Sequence, residues 1–112
     1  MIYRNKDLQK KVFAFTEDFQ INIGKEIKLR IALSANETNF DRHFSSFSRL
    51  EFILTSLQAR ISGARLMFSG EKQHFEIALD HLIKLEKKDQ QIEFIEAYSE
   101  KIYRRTIISV NS

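Results

Sequence analysis

The stretch Phe19-Gln20-Ile21-Asn22-Ile23-Gly24-Lys25-Glu26-Ile27-Lys28-Leu29-Arg30-Ile31-Ala32-Leu33 decides how the chain is first read. Every large apolar residue in it holds an odd position, and Gln20, Asn22, Lys28 and Arg30 lie between them. Period two is the signature of a half-buried strand, whereas 100° helical steps would scatter the same residues around a cylinder. Gly24-Lys25-Glu26 interrupts the pattern as a three-residue hairpin loop, setting Ile23 against Ile27 and Ile21 against Leu29. Phe13 and Phe15 extend the odd pattern backwards, with Thr16-Glu17-Asp18 as a second loop. The spacing thus predicts a three-stranded antiparallel meander at about 11–16, 19–24 and 26–34. Residues 3–10 are expected to form a short leading helix.

After Ser34 the period changes. Phe40, Phe44, Phe47, Leu50, Leu54, Leu57, Ile61, Ala64 and Phe68 recur at steps of three and four, as on one side of an amphipathic helix. Ser34-x-x-Glu37 and Thr38-x-x-Asp41 are candidate capping boxes for its start. Gly70 suits the residue just past its end. Phe75, Leu79, Leu82 and Leu85, then Ile92, Ile95, Tyr98 and Ile102, make a second stripe. The polar run 86–91 between its halves is either an exposed turn or a solvated part of one long helix. Thr106 to Val110 is β-branched, and either frays or adds an edge strand. The expectation is an α+β fold, the meander of residues 11–34 packed on a helical hairpin of residues 38–108. An all-α bundle is the alternative.

Length and composition bound the rest. The 112 residues suit one domain over 1–112, and 43% hydrophobic content with ten Phe is enough for a core. Absence of Cys excludes a disulfide framework and a cysteine nucleophile, and absence of Pro excludes proline-rich linkers. No apolar run approaches the roughly 18 residues of a membrane span. No signal-peptide core follows Met1, so a cytoplasmic location is expected. The formal net charge is +3, and the excess is local. Residues 1–34 hold seven bases against four acids, while residues 71–112 hold seven against eight.

Chemistry is sparse. Glu71-x-x-His74 has the spacing of a di-iron half-site, with His81 further along, but no second copy exists in the chain. Asp80-His81 are neighbours, and adjacency does not orient an imidazole on a helix. No G-x-S-x-G or phosphate loop is present, and the chain has only three Gly. No catalytic residue, metal or cofactor is assigned, and no enzyme activity is expected.

Two binding readings follow. The helical stripes are broader than one neighbour needs, which points to a homodimer or one protein partner. Phe94, Tyr98, Ile102 and Tyr103 are the candidate contact surface. The alternative is nucleic acid held on the basic outer face of the meander by Lys11, Gln20, Asn22, Lys25, Lys28 and Arg30.

Ala64-Arg65-Leu66-Met67-Phe68-Ser69-Gly70-Glu71, followed by Phe75, Leu79, Leu82 and Leu85, resembles the helix–turn–helix corner of extracytoplasmic sensor bundles in histidine kinases and chemoreceptors. That resemblance, over about 25 residues, would imply a helical sensor domain excised from a membrane receptor.

Overall fold

The structure, a computed structural model, describes residues 6–35, 46–60, 63–99 and 101–111. The chain begins with helix α1 (Lys6–Phe19) and a single 3-10 turn (Gln20–Asn22). Eight strands follow: β1 (Glu26–Ser34), β2 (Ser46–Ile53), β3 (Ser56–Arg60), β4 (Arg65–Ser69), β5 (His74–Ala78), β6 (Leu82–Lys88), β7 (Gln91–Ser99) and β8 (Ile102–Val110). They form two antiparallel sheets, one ordered β2-β1-β8-β7-β6 and one ordered β3-β4-β5.

The expected helical hairpin over 38–108 is absent among the described residues, and the chain is not an all-α bundle. The reason lies in strand length. β3, β4 and β5 have five residues each, and the chain turns a corner or hairpin between them. Each strand alternates correctly inside itself: Leu57 in β3, Leu66 and Phe68 in β4, and Phe75 and Ile77 in β5 are buried. Each turn resets the phase, so residues picked from successive short strands recur at helix-like steps. The sensor-corner resemblance over 64–85 fails for the same cause, because those residues form β4, β5 and part of β6. The capping boxes Ser34-x-x-Glu37 and Thr38-x-x-Asp41 run into residues outside those described.

Of the three strands expected over 11–34, only the last exists. Residues 6–19 are helical because Leu8, Val12, Phe15 and Phe19 recur at four, three and four, one face of a helix. Leu8, Val12 and Phe19 are buried there, while Phe13, which suggested a strand, is 51% exposed. Gln20 to Asn22 form the 3-10 turn, leaving Ile21 77% exposed.

The two sheets join at two places. At the first, Leu54 donates to the Lys25 carbonyl at 2.9 Å, and Thr55 donates to the Ser69 carbonyl at 2.8 Å. One residue thus closes the β1–β2 ladder and the next opens the β3–β4 ladder. Gly70 packs here: a Cβ on it would lie 2.7 Å from the Phe52 ring, so only glycine fits without a shift. At the second junction the 3-10 turn Leu79–His81 carries β5 into β6. The polar run 86–91 holds the two-residue turn Asp89-Gln90 between the end of β6 and the start of β7: Lys88 pairs with Gln91, and Asp89 takes a left-handed φ of 57°. β8 is no edge strand; it pairs with β1 on one side and β7 on the other.

Helix α1 packs between β3 and β6. The Gln20 side-chain amide donates to the Leu57 carbonyl at 3.1 Å, satisfying an acceptor on β3. Beneath the helix Phe15, Phe19, Phe68 and Phe94 pack with centroid spacings of 4.9 to 6.4 Å. Edge-on and offset aromatic contacts of this kind add about 0.5–1.5 kcal/mol per pair beyond burial.

Candidate nucleic-acid interface

Among the described residues, the inner face of the five-stranded sheet carries one buried charge. Glu96 on β7 is fully buried, and Arg104 lies opposite it on β8. Its Oε1 accepts from Arg104 Nε at 2.7 Å, and its Oε2 accepts from the Tyr98 hydroxyl at 2.5 Å and the Ala78 N–H at 2.8 Å. Arg104 also donates to the Glu76 carbonyl at 2.7 Å and lies 4.9 Å over the Phe75 ring. Charges on β7 and β8 therefore bind the backbone of β5 and tie the two sheets together. Burial, then the hydrogen bond to Glu96, pushes the Tyr98 hydroxyl pKa up to about 12.

Phe94 is at the centre of the aromatic core and fully buried, so it cannot form part of a contact surface. Tyr98 is 41% exposed, stacked on His81 at 4.6 Å and hydrogen-bonded to Glu96. Ile102 is exposed at the start of β8, and the next residue, Tyr103, turns to the opposite face against Ala32 and Ile95. The four residues proposed as one surface are thus divided between core and two faces.

The remaining chemical candidates also separate. His74 contacts Ser69 Oγ at 3.1 Å and Glu76 at 2.5 Å, and the bond to Glu76 holds that carboxyl below its usual range. This serine–histidine–glutamate line lies on exposed strand surface, and neither described cleft adjoins it. His81 is bonded through Nδ1 to the Ala97 carbonyl at 3.1 Å. Among the described residues no group of three or more His, Cys, Asp or Glu is placed to hold a metal. No described helix is long and apolar enough to cross a membrane.

An open cleft of about 1020 Å³ runs beside α1. Phe15, Leu85 and Ile92 line it, and Lys11, Asp18, Lys87 and Asp89 give it charges of both signs.

The outer face of the five-stranded sheet is different. Ladder register places Lys28, Arg30 and Ala32 of β1 on it, beside Phe47, Arg49 and Glu51 of β2 and Tyr103, Arg105 and Ile107 of β8. Arg30 pairs directly with Arg49 across the β1–β2 ladder. Arg105 sits diagonally from Arg30, opposite Ala32. Arg30, Ala32, Phe47, Arg49, Arg105 and Ile107 line a groove of about 420 Å³. Like charges directly opposite on a sheet repel, so this arrangement disfavours the unliganded face. Further along the same face unlike charges are paired: Lys84 meets Glu93 at 2.9 Å and Glu86 at 3.7 Å. The Glu93 hydrogen bond raises the Lys84 pKa above its ordinary value.

Of the residues read from sequence as nucleic-acid contacts, Lys28 and Arg30 lie on this face. Lys25 is exposed in the turn before β1. Lys11 and Asn22 line the cleft beside α1, and Gln20 is bonded to β3. Arg49, Arg105, Phe47 and Tyr103 escape a sequence reading that sets them on helices. The signal is present, since Phe47, Arg49, Glu51 and Ile53 alternate with Ser48, Leu50 and Phe52.

No protein-family model, curated protein or solved structure matches the chain.

Proposed function

We propose that the protein binds a single-stranded nucleic acid across β2, β1 and β8, on the outer face of the five-stranded sheet. The observation that carries this reading is Arg30 set directly opposite Arg49, with Arg105 beside them in one groove. A phosphodiester backbone offsets that repulsion, because its charge spacing suits several cations at once. Phe47, 60% exposed at the groove, offers a ring on which an unpaired base can stack. Duplex would keep its bases stacked inside and leave that ring without a role. The cytosol is the compartment we propose for this activity, in keeping with the cysteine-free sequence.

Contact through a helical hairpin is excluded, since no helical hairpin exists among the described residues.

The test is fluorescence anisotropy of a labelled oligonucleotide against salt concentration. Binding should weaken steeply with salt. Arg30→Ala and Arg105→Ala should each lower the log–log slope by about 0.7 for every single-strand phosphate that the variant no longer neutralises. Phe47→Ala should cost about 1–3 kcal/mol in affinity with the salt slope unchanged. Absence of binding at low salt, or an Arg30→Ala protein of unchanged affinity, overturns the proposal.

A further inference from the structure

β2 pairs with β1 and with no other strand among those described, so its second edge is unpaired among the described residues. Its pairing runs without a bulge from Glu26 opposite Ile53 to Leu33 opposite Ser46. Natural edge strands are commonly blunted by a bulge or a proline, and this one has neither. Backbone direction along it follows from its end. Leu54 donates to the Lys25 carbonyl and accepts from the Gly24 N–H, so its polar groups point to the β1 side. Antiparallel alternation then turns those of Phe52, Leu50 and Ser48 the same way. The N–H and C=O groups of Phe47, Arg49 and Glu51 consequently face the open edge. The side chains of these residues and of Ile53 stand on the outer face, with Phe47 60% and Ile53 56% exposed.

We propose that two copies of the chain join through this edge, β2 antiparallel to β2, with the twofold axis at Leu50. Symmetry allows outward-directed residues to meet only outward-directed residues, which leaves three central registers. An axis at Arg49 sets arginine against arginine, and an axis at Glu51 sets carboxylate against carboxylate. The Leu50 axis sets Arg49 against Glu51 of the second copy, and Glu51 against its Arg49. The same register sets exposed Phe47 beside exposed Ile53 at both ends of the seam, edge to edge on one face. Charge and apolar cover therefore select one register.

Gly70 stands close to the Ile53 carbonyl, so the ladder is carried by Arg49 and Glu51, about four inter-chain hydrogen bonds. Among the described residues Arg49 has no acidic partner, and Glu51 is held only by Lys28 at 3.8 Å, so both are available. The join makes one sheet of twice the width and sets the two basic grooves side by side. It does not depend on nucleic-acid binding, and its test contains no oligonucleotide.

The experiment is mass by light scattering on the purified chain at about 100 μM, where contacts of modest area associate. The expected mass is twice the 13.2 kDa of the chain. Arg49→Glu alone and Glu51→Arg alone put like charges opposite and should each weaken the dimer more than tenfold, giving monomer. The double variant Arg49→Glu/Glu51→Arg exchanges the charges and should return the mass to the dimer. Circular dichroism on each variant checks that the fold is kept. A monomeric parent chain, a dimer indifferent to the single changes, or a double variant that stays monomeric overturns the proposal.

Discussion

On the inner face of the five-stranded sheet Arg104 touches the Glu96 carboxylate, the Glu76 carbonyl and the Phe75 ring. On the outer face of the same sheet Arg30 faces Arg49. The first guanidinium is satisfied by its own chain. The other two are exposed and set like charge opposite like charge. Position relative to the core thus separates two uses of one residue type. A buried charge is held by partners whose loss would leave it stranded, whereas exposed like charges subtract from stability unless something else arrives. Variants on the inner face should therefore change stability, and variants on the outer face should change binding.

The largest effect is expected at Glu96. Glu96→Ala leaves Arg104 without its carboxylate and should lower the unfolding free energy by about 3–5 kcal/mol, read as a fall in the urea midpoint. Next is Thr106, which is fully buried and whose hydroxyl has no hydrogen-bond partner among the described residues. Thr106→Val removes that unpaired group at nearly constant volume and should stabilise by about 1 kcal/mol in the same measurement. Smaller still is Arg49→Glu, which relieves the repulsion with Arg30. Its unfolding free energy should stay within about 0.5 kcal/mol of the parent or rise, while oligonucleotide affinity falls. A large loss of stability there would erase the contrast between the two faces.

Tyr98 adds a pH axis on the inner side. Its folded pKa of about 12 lies above the ordinary 10.0, so folding favours the neutral hydroxyl. Stability from this source is complete below pH 10 and is lost as pH rises through about 12. Thermal melts across that window should show a decline that Tyr98→Phe removes.

The sequence discloses β1 because Ile27, Leu29, Ile31 and Leu33 hold alternate positions, a run long enough for period two to stand clear of period 3.6. Lys28 and Arg30 follow from that parity alone. The short strands of the second sheet are illegible by periodicity, because five residues hold two or three inward positions before a turn resets the phase. Helix α1 is obscured by exposed Phe13 and Ile21, which join its buried stripe into a false alternation. Arg49 and Arg105 are distant in sequence, and only the flanking of β1 by β2 and β8 brings them together. Glu96 reads in sequence as one of many surface acids. Its burial is visible only when Ala78 and Arg104 are seen to converge on it.

The placement of β8 beside β1 has a consequence for how the chain is made. The last strand synthesised of those described occupies the middle of the sheet, between the first strand and the seventh. Residues 26–99 therefore leave the ribosome before the strand that pairs with both β1 and β7 has emerged. Contacts between such distant segments slow folding. Until Val110 clears the exit tunnel, both flanks of the unfilled slot present free strand edges, and the nascent chain is most prone to stick to its neighbours. Removing residues 102–110 would leave two unconnected parts of a sheet rather than a smaller version of it.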